Sequence, residues 1–349
     1  MDRRLATLAV VFTFLGIASV ANTSAPMATA NFGDPLFFTR QHVIWAVFGL
    51  SLMFIASRMP SSFWIKYAPL AFIGSLILLV LVLIPGLGSN FLGARRWIII
   101  GPFSLQPSEI VKLALALYFS YLTYKKAHIK KYVWTLALVG GLIMLQPDLG
   151  TTIVVATIGL SQLVLASFPI FQIGVISAAG ALAALVLALT SDYRRERIIT
   201  FITGTRDAHG DAYHIRQVLL AIGSGGLFGV GIGQSRQKQL FIPETATDSV
   251  FAIISEEIGF FGVVVLLSLF LFFVFTALSI AKKADSPEKA VLAGGIAVWI
   301  GSQIFLNISS MIVLTPMTGI PLPFFSYGGS ALTAILIGCL LYTSDAADE

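Results

Sequence analysis

Charge is scarce in this chain of 349 residues. Asp, Glu, Lys and Arg together make up 11% of it, whereas a soluble protein averages about 25%. Hydrophobic residues account for 57%, and the mean hydropathy is +0.90. This balance excludes an ordinary soluble domain. The net charge of +5 does not indicate nucleic-acid binding, because most basic residues fall in loops between apolar runs, where they set topology and meet anionic headgroups.

Cysteine and histidine are nearly absent. Cys339 is the single cysteine, which excludes an internal disulfide and a cysteine-rich metal site. The four histidines, His42, His128, His209 and His214, show no ligand spacing, so no zinc site is indicated.

Nucleotide-binding and penicillin-binding signatures are also missing. Residues 229–233 read Gly-Val-Gly-Ile-Gly, but a dinucleotide-binding turn needs a preceding strand, a following helix and a downstream acid. Residues 235–238 match Ser-x-x-Lys, but the chain has no Lys-Thr-Gly motif to go with it. We therefore expect no nucleotide site, and we interpret the glycine-rich stretch as a flexible or membrane-hugging loop.

Long apolar runs dominate the chain instead. A membrane-spanning helix needs about 20 mostly apolar residues. Ten segments are candidates, at about 5–23, 41–57, 67–86, 108–124, 132–146, 150–168, 171–190, 249–281, 290–314 and 327–342. The first resembles a signal peptide, but it lacks a clear cleavage site and we expect it to be retained. The sequence predicts an all-α, polytopic integral membrane protein with about ten transmembrane helices in one domain over 1–342.

The Lys and Arg residues of the short loops predict the orientation in the membrane. With the N-terminus in the cytoplasm, the inside segments hold eleven basic residues, and the short outside loops hold only Arg40, Arg95 and Arg96. The reversed topology would invert this ratio, so we expect both termini in the cytoplasm. The inside residues are Arg3, Arg4, Arg58, Lys66, Lys125, Lys126, Lys130, Lys131, Lys282, Lys283 and Lys289.

A long outer loop at about 191–248 precedes the eighth span. Loops of this length are usually functional or disordered, and part of this one could re-enter the protein face of the membrane. The acidic residues 343–349 are unusual for a cytoplasmic end next to a span. We interpret them as a tail that is not native to the fold.

Carboxylates beside apolar segments are the first candidate functional groups, because such charges are costly and tend to mark function. Glu244, Asp248, Glu256 and Glu257 lie where the long loop meets the eighth span. Asp248 could cap that helix, although Thr247 could do so instead. An outward-facing carboxylate is also where a general base would sit. Of the two deeper acids, Glu256 lies nearer the helix face of Asp248.

Charged residues within or beside other spans are further candidates. Glu109 and Lys112 share one helix face in the fourth span, either as a neutralising pair or as the lining of a polar cavity, and we favour the cavity. Arg95 and Arg96 precede Trp97 on the outer side. They could reach headgroups or bind an anionic lipid phosphate.

Two loop segments complete the set. Asp148 lies between Pro147 and Gly150, where it could cap the sixth span or join a site, and capping alone explains it well. Residues 321–330, which include Ser326, carry two prolines and two glycines. They predict a rigid, re-entrant-like loop that could floor a binding site.

Seven motifs occur in order, and their combination is more specific than any one of them. They are Gly-Ala-Arg-Arg-Trp at 93–97, Gln-Pro-Ser-Glu-x-x-Lys at 106–112, Gln-Pro-Asp-Leu-Gly-Thr at 146–151, Ile-Gly-Ser-Gly-Gly-Leu-Phe-Gly at 222–229, Pro-Glu-x-x-x-Asp at 243–248, Glu-Glu-x-Gly at 256–259 and Leu-Pro-Phe-x-Ser-Tyr-Gly-Gly-Ser at 322–330. Over about 3–342 the chain resembles the SEDS (shape, elongation, division and sporulation) family of the FtsW, RodA and SpoVE type. Residues 33–35, 93–97 and 233–238 resemble the FtsW branch more than the RodA branch.

The resemblance implies a ten-helix peptidoglycan glycosyltransferase that polymerises lipid II at the outer face of the bacterial inner membrane during division or elongation. It also implies a class B penicillin-binding protein as the transpeptidase partner, and other divisome or elongasome membrane proteins. No nucleotide is needed, because the leaving undecaprenyl pyrophosphate supplies the energy.

The resemblance also implies residue roles. The essential aspartate of the family corresponds to Asp248, its membrane Glu/Lys pair to Glu109 and Lys112, and its acid after Gln-Pro to Asp148. We expect Asp248 to deprotonate the acceptor hydroxyl, or to orient it through a divalent cation, Mg²⁺ or Mn²⁺. The cations expected near the leaving pyrophosphate are Arg95, Arg96, Arg216 and Lys112, and Glu244 and Ser326 are expected to support the site.

Some positions depart from the family pattern. Leu92 replaces a common Asn, Ser249 a common aromatic residue, and Ser309 and Val313 common glycines. Two rival functions stay open: a lipid II flippase or transporter, and a non-catalytic division scaffold. Buried charges alone separate transport from catalysis poorly.

Overall fold

The computed structural model of the chain describes residues 3–91, 94–101, 103–189, 195, 201, 211–242 and 245–341. In that part it contains eleven α-helices and one small sheet. In chain order these are α1 Arg3–Phe32, α2 Phe37–Arg58, α3 Ser61–Leu81, β1 Gly88–Phe91, β2 Ala94–Ile100, β3 Phe103–Leu105, α4 Pro107–Tyr124, α5 Ile129–Met144, α6 Leu149–Leu165, α7 Ile170–Leu189, α8 Asp211–Ser224, α9 Val250–Lys282, α10 Pro287–Met311 and α11 Gly329–Leu341.

The helical, multi-pass architecture agrees with the prediction. Each of the ten predicted spans contains a helix, and six helices are long and apolar enough to cross a membrane. The other four are shorter or more polar, so the count of ten spans stays a prediction. The third span ends at Leu81, whereas the sequence predicted residue 86. Within the long loop, α8 is a helix that the sequence did not predict.

Strands β1 to β3 are an addition to the predicted all-α fold. They form an antiparallel sheet in the order β1-β2-β3, in which Ile98 pairs with Gly88 on one side and with Leu105 on the other. The chain turns tightly from α3 into this sheet. The turn requires a glycine at position 88, because a side chain there would come within 1.9 Å of the Val82 carbonyl oxygen. β2 carries Arg95 and Arg96 to the edge of the helix bundle.

Helix α10 lies at the centre of the bundle, where it packs against α4, α6 and α9. Of its most apolar stretch, 72% is buried, compared with 6% for α7. In lipid, helices gain no hydrophobic driving force from packing on each other, so close contact and polar pairing hold them together. Helix α10 is therefore the element to which the other site-bearing segments attach, and α7 lies at the periphery.

The segment between α10 and α11 enters the bundle as a compact loop. The ring of Phe324 lies 5.6 Å from that of Phe12 in α1, and the ring of Phe325 lies 5.4 Å from that of Phe270 in α9. A side chain on Gly16 would meet the Phe324 carbonyl oxygen at 2.0 Å. This burial agrees with the re-entrant-like loop that the sequence predicted.

Candidate active site

Asp248 lies half-buried just before α9. The N-cap residue of α9 is Ser249, whose side chain makes no capping hydrogen bond, and Asp248 immediately precedes it. The Thr247 hydroxyl donates to Asp248 Oδ1 at 3.2 Å. A carboxylate of this kind accepts protons and coordinates cations, and either property would serve glycosyl transfer.

Asn307 of α10 holds the backbone at Asp248 in place. Its Nδ2 donates to the Asp248 carbonyl oxygen at 2.8 Å and to the Ile320 carbonyl oxygen at 2.7 Å. One buried amide therefore ties the start of α9 to the loop after α10. Sequence reasoning missed Asn307, and its only signal was a polar residue inside an apolar span, the pattern that identified Glu109 and Lys112.

The loop after α10 joins Asp248 to the start of α6. A side chain on Gly319, whose φ is +66°, would lie 3.7 Å from Asp248 Oδ2. On the other side, a side chain on Gly150 would come within 2.7 Å of the Thr318 carbonyl oxygen. The short run 318–320 is thus packed between the Asp248 carboxylate and the first turn of α6.

Asp148 and Arg96 meet at that first turn. Asp148 caps α6 as the sequence predicted, accepting from the Thr151 backbone nitrogen at 3.0 Å and the Thr151 hydroxyl at 2.9 Å. Arg96 Nε lies 3.9 Å from Asp148 Oδ2 and donates to the Gln146 carbonyl oxygen at 3.1 Å. The Arg96 guanidinium also donates to the Pro147 carbonyl oxygen. Arg96 therefore holds the α5–α6 turn and remains 27% exposed, which leaves part of it open to an anion.

Arg95 takes a different direction from Arg96, as expected for neighbours on a strand. Its guanidinium donates to the Leu83 carbonyl oxygen at 3.4 Å, beside the turn after α3. Of the two arginines that the sequence singled out, only Arg96 contacts Asp148.

Glu109 and Lys112 form an ion pair at 2.7 Å in α4, and each side chain is 1% exposed. Both side chains are buried inside the bundle, and the preferred interpretation, a cavity-lining pair, stays a prediction. The Lys112 ammonium lies 5.6 Å from the centre of the Trp299 ring of α10. Trp299 precedes Asn307 by eight residues, which is about 12 Å along a helix. Helix α10 therefore links the buried ion pair to the Asp248 segment.

Helix α8 reaches the same segment through His214, whose Nε2 lies 2.7 Å from the Ser249 hydroxyl. Ser249, which departs from the family pattern, therefore has a hydrogen-bonding partner on a neighbouring helix. Arg216 is exposed and lies two residues further on, about 200° around the helix from His214. It leaves α8 on nearly the opposite face from His214. Glu244 lies outside the described residues.

Ser326 stabilises the loop in which it lies. Its hydroxyl accepts from the Leu322 backbone nitrogen at 2.8 Å, and the side chain is buried. The next residue, Tyr327, donates its backbone N–H to the Ala246 carbonyl oxygen at 2.7 Å. Ser326 thus shapes the loop that supports residues 245–248, and its place as a substrate-binding or cavity-lining residue stays a prediction.

The glycine-rich stretch, which we interpreted as a flexible or membrane-hugging loop, packs closely against α9. A side chain on Gly225 would meet the Ser255 carbonyl oxygen at 2.4 Å, and one on Gly229 would meet the Glu257 carbonyl oxygen at 2.1 Å. The glycines therefore serve close backbone packing against α9 rather than mobility.

The described residues contain no group of three or more His, Cys, Asp or Glu side chains arranged to hold a metal ion. Mg²⁺ is commonly held by one or two carboxylates together with substrate phosphates. Among the described residues, Asp248 fits a cation that it would share with a pyrophosphate better than an all-protein metal site.

Comparison with known proteins decides the family. A family model described as a cell cycle protein, covering FtsW, RodA and SpoVE, matches residues 2–347. The chain belongs to the FtsW/RodA/SpoVE family.

Individual members of the family match over nearly their whole length. A probable peptidoglycan glycosyltransferase FtsW of Coxiella burnetii is 37% identical over 337 residues, which cover 93% of this chain and 90% of that protein. The stage V sporulation protein E of Bacillus subtilis is 37% identical over 353 residues, which cover 98% and 96%. A solved peptidoglycan synthase complex that coordinates polymerisation and crosslinking contains a chain with 26% identity and a TM-score of 0.80, matched over 100% of this chain and 99% of that one.

Proposed function

We propose that this chain is a peptidoglycan glycosyltransferase in which Asp248 is the catalytic carboxylate. Membership of the FtsW/RodA/SpoVE family supports the activity. The observation that carries the residue assignment is the placement of Asp248, a half-buried acid at a helix start whose backbone is held by Asn307. The buried Glu109 is already paired with Lys112 and is closed to a substrate.

The reaction joins two lipid-linked sugars. Asp248 takes the proton from the 4-hydroxyl of one lipid II disaccharide as that oxygen attacks the anomeric carbon of the growing chain. The bond from that carbon to the pyrophosphate breaks, the configuration inverts, and undecaprenyl pyrophosphate leaves with its electron pair. General-base catalysis of this kind contributes about 10²–10⁴-fold to a rate.

The leaving pyrophosphate needs positive charge. Arg96 is a candidate for that charge, because it lies against Asp148, and the run 318–320 packs between the first turn of α6 and Asp248. A Mg²⁺ or Mn²⁺ ion held by Asp248 would supply further charge for the leaving group. Lys112 is fully paired inside the bundle and contributes only through its field.

Location and partners follow from the same proposal. The excess of basic residues in the loops on one side supports an inner-membrane protein with both termini in the cytoplasm and Asp248 on the outer face. We expect a class B penicillin-binding protein as partner, since the matching solved structure is a synthase complex that also crosslinks. Lipid II is the expected substrate, and division is the expected process.

Polymerisation of purified lipid II by this protein, together with its partner, tests the assignment. Asp248→Ala should lower the rate by at least about 10²-fold. Asp34→Ala is the matched control, because Asp34 is a partly exposed acid paired with Arg40 in the loop before α2, and it should keep full activity. Full activity of Asp248→Ala would overturn the catalytic assignment.

The same preparation separates the rival functions. A flippase would move lipid II across vesicle membranes without forming polymer, and it would tolerate Asp248→Asn. A scaffold would bind its partner equally well with and without Asp248 and would form no polymer in either case.

A further inference from the structure

Helix α9 is broken near its start. Gly259 has φ 66° and ψ −172°, which divides α9 into an arm, residues 250–258, and a long half, residues 260–282. A regular helix fixes the direction of its first turns through continuous backbone hydrogen bonds. Because the break interrupts them, contacts outside α9 must set the tilt of the arm.

The glycine-rich segment 225–231 fills this break. On the side of the long half, the backbone nitrogens of Phe260 and Phe261 donate to the carbonyl oxygens of Gly226 and Leu227 at 2.9 and 3.1 Å. On the side of the arm, the nitrogens of Val230 and Gly231 donate to the carbonyl oxygens of Glu256 and Glu257 at 3.0 and 3.1 Å. Broken helices persist in membranes where the protein satisfies the freed backbone groups in this way.

The Glu256 carboxylate locks the end of the arm to the segment after the glycines. It accepts from the Ser235 and Ser224 hydroxyls, the latter at 3.2 Å, and from the backbone nitrogens of Arg236 and Gln237 at 3.2 and 3.3 Å. Four donors around one buried carboxylate hold it in a single orientation.

Lys238 extends the lock to a third element. Its Nζ donates to Glu257 Oε1 of the arm at 3.1 Å, to the Gly233 carbonyl oxygen at 2.7 Å and to Asn22 Oδ1 of α1 at 2.6 Å. Asn22 in turn donates to Glu257 through its Nδ2. Lys238 is 6% exposed, so its three bonds are shielded from water.

The contacts of Glu256 and Glu257, here called the lock, lie at one end of the arm, and Asp248 lies at the other end. Eight residues separate Asp248 from Glu256, which is about 12 Å along a helix. A tilt of roughly 10° about the lock would therefore move the Asp248 end by about 2 Å. Displacements of about 1 Å at a reacting group can cost about 10²-fold in rate.

We propose that Lys238 is a positioning residue: by joining α1, the glycine-rich segment and the Glu256–Glu257 end of the arm, it fixes the tilt that brings Asp248 to its working position. The proposal rests on the glycosyltransferase function of Asp248. Lys238 itself touches no substrate, so it acts on the rate of the chemical step and not on substrate binding.

Kinetics of lipid II polymerisation by the purified full chain with its partner provide the first test. Lys238→Met should lower kcat about 10–100-fold and change KM for lipid II by less than about twofold. Lys238→Arg should retain most of kcat, because it keeps the positive charge. A rise in KM at constant kcat would overturn the proposal, since it would indicate that Lys238 binds substrate.

A double variant tests whether the loss comes from the unpaired acid. Removing Lys238 leaves Glu257 buried without its cation, and removing both charges relieves that cost. Lys238→Met/Glu257→Gln should therefore recover at least about fivefold in kcat over Lys238→Met. If Lys238→Met fails to fold, Asn22→Ala serves instead. It removes one bond of Lys238 and one of Glu257 but leaves their ion pair in place, and kcat should fall about threefold or more. Unchanged kcat in Asn22→Ala, or no recovery in the double variant, counts against the proposal.

A distance measurement reports the tilt without any activity. Spin labels at Ile254→Cys on the arm and Phe305→Cys on α10, with Cys339→Ser, should give one narrow distance. Adding Lys238→Met should broaden the distance distribution between the two labels or shift it by about 2 Å. Lys289→Met, at the exposed pair with Asp285, is the control and should leave that distance unchanged. An unchanged distance in the Lys238 variant overturns the proposal. Full activity of Asp248→Ala would overturn the proposed function while leaving the distance result standing.

Discussion

At the scale of single residues, Asp248 depends on neighbours that perform no chemistry. Asn307 holds its backbone, Gly319 lets the loop pass beside its carboxylate, and His214 binds the residue that follows it. Each comes from a different helix or loop. The reactive group is thus positioned by buried polar contacts, which are costly to break inside a membrane protein.

Replacing Asn307 by alanine should expose that dependence. Asn307→Ala leaves the Asp248 and Ile320 carbonyl oxygens without their shared donor, at a cost of about 1–3 kcal/mol in stability. We expect polymerisation to fall about 10-fold or more while expression in the membrane persists. Ser302→Ala, which removes only a hydrogen bond within α10, is the control and should leave the rate unchanged. Equal rates for the two variants would contradict the role of Asn307.

The buried ion pair of α4 gives a second prediction at this scale. Lys112→Met leaves Glu109 buried without its cation and should destabilise the protein by about 3–5 kcal/mol, and Lys112→Met/Glu109→Gln should recover most of that loss. Lys289→Met, at the exposed pair with Asp285, should cost less than about 1 kcal/mol. Thermal unfolding in detergent measures all three. A KM effect without loss of stability would favour the cavity-lining role that the sequence predicted.

At the scale of elements, α9 departs most from an uninterrupted transmembrane helix. Its break at Gly259 and the glycine-rich segment 225–231 form one unit, since each completes the hydrogen bonds of the other. Glycine is required where the two backbones approach closely, because a side chain on Gly259 would come within 2.1 Å of the Gly229 nitrogen. The sequence shows these glycines, but their partner lies about 30 residues further along the chain.

Two glycines of that segment allow a matched test. Gly226 and Gly229 both have positive φ, +52° and +81°, but only a side chain on Gly229 would meet another atom within 4 Å. Both alanine variants incur the backbone cost of about 1–2 kcal/mol. Gly229→Ala should cost about 1–3 kcal/mol more, because it forces the segment away from α9. Equal unfolding temperatures for the two variants would show that close packing at Gly229 is unimportant.

At the scale of the whole molecule, α10 organises the bundle. Its buried face carries Trp299 against the Glu109–Lys112 pair and Asn307 against the Asp248 segment. Helix α7, by contrast, exposes most of its apolar surface, as expected for a peripheral helix facing lipid. The site therefore lies where α9, α10, the loop after α10 and the start of α6 meet.

The orientation of the molecule can be tested directly. In a Cys339→Ser background, Pro35→Cys lies in the loop before α2, and Lys125→Cys lies in the loop before α5, and both positions are exposed. An impermeant maleimide added to intact spheroplasts should label Pro35→Cys, and it should label Lys125→Cys only after the membrane is permeabilised. The reverse pattern would place Asp248 on the cytoplasmic side and exclude a substrate at the outer face.

The sequence by itself determined the class of protein, the position of nearly every helix, the family and the candidate aspartate. These depend on local composition, apolar run length and short motifs, all of which can be read along the chain. The cap at Asp148 was predicted for the same reason, since a cap involves residues only three positions apart.

Only the tertiary structure decided what the polar residues near Asp248 do. It buried the Glu109–Lys112 pair inside the bundle and made Ser326 a support for its own loop. It also showed that Lys238, which the sequence presented only as part of the segment 233–238, joins α1 to the broken helix α9. Those roles depend on contacts between residues as far as 235 positions apart, such as Asn22 and Glu257, because the approach of distant helices, and not local pattern, determines which buried polar groups must pair.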